Sequence, residues 1–313
     1  MSNIAVLVSK YQNWQSVNHY SIYNAKNIRY YLYVFIRFLN ECNIHRIEDI
    51  THEVIKDYQE DLAFRISRYG TLWKVGSQNN AIGTLKSFLK WLVREDYLVS
   101  DPSVRIEYAK EPEVLPRNIL AESEIIKLLA QPDTHTVIGY RDRVILEILY
   151  STGIRKAELE NLKLTDVDYT DGYLRIDQGK GKKDRVVPLG KIACETIRNY
   201  ILAVRSEIPK GKYRNHDSGF LFINQRGNKL HHDTVWQIVK RYAKQAGIKK
   251  KVTPHSLRHT CATHMLKNGA HIRHIQEMLG HSSITTTQRY TRVTIDDLKK
   301  THAQCHPREK KYQ

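Results

Sequence analysis

Apolar residues in the first third of the chain recur at three- and four-residue steps, the spacing of one face of an α-helix. Between residues 20 and 40 these positions are Ile28, Tyr31, Leu32, Phe35, Phe38 and Leu39. Two further stretches repeat the pattern with Val54, Tyr58, Leu62 and Ile66, and with Ile82, Leu85, Phe88, Leu89 and Leu92. The spacing predicts a helical N-terminal domain whose first helix starts near Tyr20.

The helical pattern ends at a polar segment that contains two closely spaced prolines. Asp101-Pro102 stops the third stretch, and residues 107–117 (EYAKEPEVLPR) hold Pro112 and Pro116 among mixed charges. Such a composition is typical of an extended linker. We therefore predict a helical domain at residues 1–108, a linker at 109–118 and a second domain at 119–313.

The second domain mixes two periodicities. Residues 122–130 and 141–150 predict short helices, whereas residues 167–189 contain two strand-like runs separated by the turn signal Asp171-Gly172. A second glycine-rich turn at 179–184 precedes another apolar run, and helical patterns return after residue 191. The predicted fold class is mainly α, with a small antiparallel β-sheet inside the second domain.

The net charge of the chain narrows the classes of molecule that it could bind. The chain holds 50 Lys and Arg against 33 Asp and Glu, a formal net charge of +17 that favours polyanions such as nucleic acid or an acidic membrane surface. The sequence contains no run of about 18 apolar residues, so we predict no membrane-spanning helix. The first residues lack the basic and apolar regions of a signal peptide. Four cysteines without a CxxC pair fit a reducing compartment, which predicts a cytoplasmic location.

Four short segments and one tyrosine carry candidate chemistry. They are residues 152–159 (TGIRKAEL), 179–185 (GKGKKDR), 253–260 (TPHSLRHT), 279–283 (LGHSS) and Tyr290. Arg155 follows a glycine turn at a helix start, and Arg258 follows Pro254 in a first helical turn. Two such arginines can bind one phosphate and neutralise charge on its non-bridging oxygens.

The other members of these segments suit proton transfer and anion binding. His255 lies three residues before Arg258, which places both on one helical face, and a histidine exchanges protons near neutral pH. Lys180 lies at a glycine-flanked hairpin tip that can reach a ligand. The same turn could instead be a solvated basic loop that contacts only a DNA backbone.

In chain order, these residues resemble the pattern of the tyrosine recombinase (phage-integrase-like) family. The matching positions are Arg155, Lys180, His255, Arg258, His281 and Tyr290. The first third, including residues 84–92 (TLKSFLKWL), resembles the family's helical core-binding (SAM-like) domain, and the remainder resembles its mixed α+β catalytic domain. Residues 302–311 (HAQCHPREKK) are similar to the tails of the bacterial Xer branch.

The resemblance implies a nucleophile and a phosphate clamp. Tyr290 would attack a scissile DNA phosphate and form a 3′-phosphotyrosyl link, which retains the ester energy so that rejoining needs no ATP. Arg155 and Arg258 would hold the phosphate. Glu158, one turn after Arg155, matches an acidic position that orients groups of the active site in this family.

The resemblance also implies proton donors and no cofactor. Lys180 would protonate the leaving 5′ oxygen, His255 would act as acid or base, and His281 would donate a hydrogen bond to the phosphate. His255 and His259 have the four-residue spacing of many zinc ligands. Because no HExxH motif is present, we predict no metal site.

The family resemblance implies duplex DNA as the partner. It would be bound by a homotetramer, or by a heterotetramer that includes a second recombinase, and the tail after Tyr290 would pack on a neighbouring protomer. Basic residues on the third helix and in the glycine-rich turn are predicted to contact DNA phosphates. They are Lys86, Lys90, Lys182, Lys183 and Arg185.

Several functions are compatible with this chemistry. A first domain that starts near Tyr20 leaves no room for the arm-binding domain of many phage integrases, which favours Xer-like resolution of DNA dimers. Integration or excision of a mobile element is the alternative within the family. A type IB topoisomerase-like enzyme and a catalytically inactive DNA-binding protein are alternatives outside it.

Overall fold

The computed structural model describes residues 4–18, 22–67, 70–111, 118–177, 184–209, 213, 216–280 and 295–310. The chain divides into two compact units, Met1–Val114 and Leu115–Gln313. This division lies within the predicted linker, of which residues 112–117 are outside the described residues. Asn79 and Ala109 exchange two hydrogen bonds of 2.9 Å, so the first residues of that segment pack on the first unit.

The described residues of the first unit form four α-helices. They are α1 (Ile4–Val17), α2 (Ile22–Glu41), α3 (His52–Phe64) and α4 (Val75–Arg94). Their apolar faces meet in one core, where the rings of Phe35 and Tyr58 pack edge to face with centroids 4.9 Å apart. The three predicted helices are all present, but α3 ends before Ile66, which instead bridges to Leu72 in a short antiparallel contact.

Helix α1 corrects the expected start of this unit near Tyr20. Tyr11 is buried and packs against Phe88 and Trp91, with ring centroids 5.4 and 5.3 Å away. The apolar residues that face the core have helical spacing, so the signal for this helix was present in the sequence and was overlooked; they are Ile4, Leu7, Val8, Tyr11 and Trp14. Burial of its aromatic residues stabilises the helix.

The second unit contains nine helices among its described residues and one small sheet. They are α5 (Glu122–Leu129), α6 (Val137–Thr152), α7 (Lys156–Asn161), β1 (Val167–Asp168), β2 (Tyr173–Ile176), β3 (Arg185–Pro188), α8 (Lys191–Asn199), α9 (Thr234–Gln245), α10 (Pro254–Lys267), α11 (Ile272–Leu279), α12 (Ile295–Cys305) and α13 (Pro307–Lys310). The strands pair antiparallel in the order β1-β2-β3, with Val167 opposite Leu174 and Arg175 opposite Val186. The predicted mainly helical fold with a small antiparallel sheet is confirmed.

Helix α6 passes through the centre of this unit and is buried along most of its length. Its buried charged residues are therefore paired: Arg141 donates to Asp142 at 2.9 Å, and Glu147 accepts from Arg308 at 2.9 Å. An unpaired charge at these depths would be strongly destabilising. Among the described residues, every helix is too short or too polar to cross a bilayer.

The tail helices α12 and α13 pack on their own unit in this single chain. His302 Nε2 donates to the carbonyl oxygen of Ser151 at 2.8 Å, and His306 Nε2 donates to that of Tyr150 at 3.3 Å. Both carbonyls belong to the last turn of α6, and both histidines are almost fully buried. The tail therefore covers the end of the helix that leads into the candidate site.

Docking of the tail is expected to weaken as the pH falls below neutral. Burial lowers the pKa of His302 from 6.5 to about 4, and it also lowers the pKa of His306 well below 6.5. A released tail binds protons below about pH 6.5, whereas the docked tail does not, so acid favours release. Hydrogen exchange of the α12 amides, corrected for intrinsic rates, should lose protection between pH 7 and 5. Unchanged protection over this interval would contradict the prediction.

Candidate active site

The turn between α6 and α7 places Arg155. Helix α6 ends at Gly153, whose φ of +61° is a left-handed conformation that favours glycine. A Cβ at Gly153 would lie 2.7 Å from Cδ2 of Leu279, so the end of α6 packs closely against the end of α11. Two residues later, Arg155 precedes the first turn of α7, and its backbone N–H donates to Glu158 Oε2 at 2.8 Å.

The start of α10 places His255 and Arg258. Thr253 caps the helix by accepting from the Ser256 N–H at 3.1 Å, and Pro254 occupies the first turn. Arg258 is only 9% exposed and donates through Nη1 to the Gly153 carbonyl oxygen at 2.7 Å. His255, in contrast, is exposed at the N-terminal end of the helix.

Glu158 is the acceptor at the centre of the site. Its Oε1 accepts from Arg155 Nη1 at 2.7 Å and from Arg185 Nη1 at 2.9 Å. Its Oε2 accepts from the Arg155 backbone N–H and from Arg185 Nη2 at 2.7 Å. Burial raises the pKa of Glu158, but the hydrogen bonds from Arg185 and Arg155 outweigh it and lower the pKa to about 2. The carboxylate is therefore ionised at neutral pH.

The C-terminal end of α11 binds the same arginines. The last carbonyl groups of a helix have no partner within it and form the negative end of its dipole. Each guanidinium donates to one carbonyl oxygen: Arg185 Nε to Met278 (3.1 Å), Arg258 Nη2 to Leu279 (2.8 Å) and Arg155 Nη2 to Gly280 (2.7 Å). Arg155, Arg185 and Arg258 together form what we call the arginine cluster.

The arginine cluster has an excess of positive charge in a partly buried setting. Three guanidinium groups surround the single carboxylate of Glu158. Burial lowers the pKa of Arg258, and the neighbouring Arg155 lowers it further, to about 10. Arg258 is still protonated at neutral pH, but the closeness of like charges favours binding of an anion. A phosphate group matches the donors that arginine presents.

The structure brings together three of the residues proposed for chemistry, namely Arg155, Glu158 and Arg258. It also brings Arg185 into the cluster, with a side chain only 9% exposed, although the sequence predicted a DNA contact there. Lys90 is exposed on α4, and Lys86 Nζ lies 5.3 Å from the ring centroid of Tyr108. His255 is exposed at the start of α10, and the remaining predicted site residues lie outside the described residues: Lys180, Lys182, Lys183, His281 and Tyr290.

Two parts of the site were not predicted. The carbonyl groups at the end of α11 carry no sequence signal, because any residue type supplies a carbonyl. Arg185 stands in the same basic segment of the sequence as Lys182 and Lys183, and no local pattern sets it apart as a member of the site. Within the described part of the chain, His231, His232 and Asp233 form an exposed group that could hold a metal ion, and this group does not include His255 or His259.

Both units of the chain match known proteins. Residues 118–296 match the model of the phage integrase family, and residues 11–98 match the N-terminal SAM-like domain of phage integrases. The chain is 38% identical over 291 residues to tyrosine recombinase XerC 2 of Ralstonia nicotianae, covering 93% of this chain and 82% of that protein. It is 39% identical over 271 residues to tyrosine recombinase XerD of Staphylococcus aureus, covering 87% and 88%.

A solved structure shows the same fold. The site-specific recombinase XerH, bound to its difH substrate before cleavage, has a TM-score of 0.67 and 19% identity, covering 99% of this chain and 84% of that one. The longer family match spans more than half of the chain, and the two relatives match along most of their length. The chain therefore belongs to the phage integrase family and is a site-specific tyrosine recombinase.

Proposed function

We propose that this recombinase cleaves and rejoins duplex DNA through a 3′-phosphotyrosyl intermediate formed on Tyr290. The observation that supports this most directly is the arginine cluster, which holds excess positive charge and in which Arg155 and Arg258 offer N–H donors to one phosphate. Charge that develops on the non-bridging oxygens during attack is stabilised by donors of this kind. Because Glu158 and the α11 carbonyls already orient the guanidinium groups, little reorganisation is needed when the phosphate binds.

The covalent step exchanges one phosphate ester for another. The phenolic oxygen of Tyr290 forms a bond to phosphorus while the bond between phosphorus and the 5′ oxygen breaks. The phenol proton passes to a base, for which we propose His255, exposed at the start of α10. Lys180 supplies the proton to the leaving 5′ oxygen, and His281 donates a hydrogen bond to the phosphate. Attack by the freed 5′ hydroxyl reverses these changes.

For the biological role, we propose Xer-like resolution of DNA dimers by a tetramer assembled on two recombination sites. Relatives named XerC and XerD match most of the chain, and XerH has been solved on its difH site. The four-protomer assembly is inferred from exchange of strands between two duplexes. A DNA substrate of this kind, together with cysteines that are free, favours a cytoplasmic location.

The target site can be found by trapping the covalent adduct. Purified protein is incubated with sheared genomic DNA, the mixture is denatured, and DNA that remains attached to protein is sequenced. We expect one short sequence to be strongly enriched. A supercoiled plasmid with two direct copies of that sequence should then yield two smaller circles. Adducts spread over unrelated sequences, with relaxation of any supercoiled plasmid, would indicate a topoisomerase instead.

DNA binding should weaken steeply with salt. A protein that neutralises six to ten phosphates loses about 10³- to 10⁵-fold in affinity between 50 and 200 mM salt, and the net charge of +17 favours a footprint of this size. Lys90→Gln on α4 should reduce the slope of log K against log salt by about 1. Lys56→Gln, an exposed lysine on α3, is the matched control with an unchanged slope. A flat salt dependence would contradict the proposed interface.

A further inference from the structure

Arg185 lies within the active site, although the family resemblance assigned it no role there. Its guanidinium binds Glu158 through two parallel hydrogen bonds, Nη1 to Oε1 at 2.9 Å and Nη2 to Oε2 at 2.7 Å. The third nitrogen, Nε, donates to the carbonyl oxygen of Met278 at 3.1 Å. All three nitrogens thus donate to the protein, and the side chain is only 9% exposed. Such a side chain is poorly placed to bind a phosphate directly.

We propose that Arg185 is a positioning residue, which holds Glu158 in a bidentate pair and thereby keeps Arg155 available to the substrate phosphate. The inference rests on the proposed role of Arg155 as a phosphate ligand. It replaces the DNA contact that the sequence predicted for Arg185.

Arg155 and Arg185 compete for the carboxylate of Glu158. Glu158 lies three residues after Arg155, close enough to form a bidentate pair with it. In the structure, however, only Nη1 of the Arg155 side chain donates to Glu158, because Arg185 occupies both carboxylate oxygens from the other side. The remaining donors of Arg155 stay free of the carboxylate, and its side chain is 38% exposed.

The charge balance of the site also leaves Arg155 available to a phosphate. Arg155 and Glu158 alone would form a neutral pair, which attracts a phosphate weakly. With Arg185 included, two guanidinium groups share one carboxylate, so a net positive charge remains beside Arg258. The pairing of Arg185 with Met278 and Glu158 also ties the start of β3 to α7 and to the end of α11. Arg185 therefore keeps the net charge beside Arg258 positive and aligns the start of β3 with α7 and with the end of α11.

The test is a suppressor experiment under single-turnover conditions at saturating site DNA. Arg185→Gln should lower the cleavage rate about 10²-fold, because Glu158 turns to pair with Arg155. Adding Glu158→Gln removes the competing charge, so the double variant should cleave at least about 5-fold faster than Arg185→Gln alone. Arg175→Gln, on the exposed side of β2, is the matched control and should keep the wild-type rate. A double variant no faster than Arg185→Gln would overturn the inference.

A second readout separates positioning from general loss of structure. A neutral methylphosphonate at the scissile position has less need of cationic donors, so the defect of Arg185→Gln relative to wild type should shrink severalfold on this substrate. Equal defects on both substrates would show a merely structural role. Arg185→Lys keeps a cation beside Glu158 and should lose less activity than Arg185→Gln, and equal losses would also overturn the inference. If wild-type protein formed no adduct at all, the proposed function itself would fail.

Discussion

Tyr290→Phe is expected to bind site DNA with wild-type affinity and to form the covalent adduct more than about 10³-fold more slowly. The substitution removes only the phenolic oxygen, so binding of the duplex should be unaffected. Without that oxygen no protein ester of the phosphate can form. Gel retardation measures binding, and denaturing electrophoresis of labelled DNA measures the adduct.

The control for this experiment is a second tyrosine of the same unit. Tyr169→Phe, in the segment that joins β1 and β2, should form the adduct at the wild-type rate. Mass spectrometry of the peptide that carries the nucleotide should identify Tyr290 in the wild-type adduct. Normal adduct formation by Tyr290→Phe, or attachment at another residue, would refute the assignment of the nucleophile.

Arg155→Ala is expected to reduce the cleavage rate by about 10²- to 10³-fold while changing DNA affinity little. Arg155 is the most exposed member of the arginine cluster, and its hydrogen bonds to Glu158 and Gly280 aim its remaining donors. Its contact with one phosphate among many adds little to affinity but stabilises the charge that forms during attack. Single-turnover rates at saturating DNA separate these two contributions.

Arg198→Ala supplies the matched control, because Arg198 is an exposed arginine on α8 of the same unit. It should keep the wild-type rate. Arg155→Lys, which retains the charge without the planar donors, should remain well below wild type. A lysine variant with full activity would show that charge alone suffices. An alanine variant with full activity would exclude Arg155 from the chemistry.

Periodicity predicted most of the helices because their apolar faces repeat often enough to exceed local irregularities. Helix α1 was overlooked although its apolar residues have helical spacing; what the sequence could not show is that Tyr11 packs on Phe88 and Trp91, residues more than 70 positions away in the chain. The end of α3 was misplaced for a related reason. Ile66 continues the helical spacing, but it bridges to Leu72 after the helix has ended.

The site was predictable where residue type and order carry the signal. Arg155 and Arg258 stand in recognisable segments, and Glu158 follows from its position one turn after Arg155. The burial of Arg185 was not predictable, because a basic residue in a basic segment looks the same whether it faces solvent or a buried carboxylate. The structure distinguishes it through its contacts with Glu158 and Met278, which no local pattern encodes.

Gly280 has a consequence for how loss-of-function screens of this enzyme should be read. It ends α11 with a φ of +67°, and a Cβ there would lie 2.9 Å from Nε of Arg185. Its own carbonyl and those of the two preceding residues each accept from a different guanidinium, so one backbone bend sets the spacing of three cations. Random mutagenesis should therefore score Gly280 together with the charged residues, although glycine has no reactive side chain. A position can be indispensable to the chemistry solely as a template for other residues.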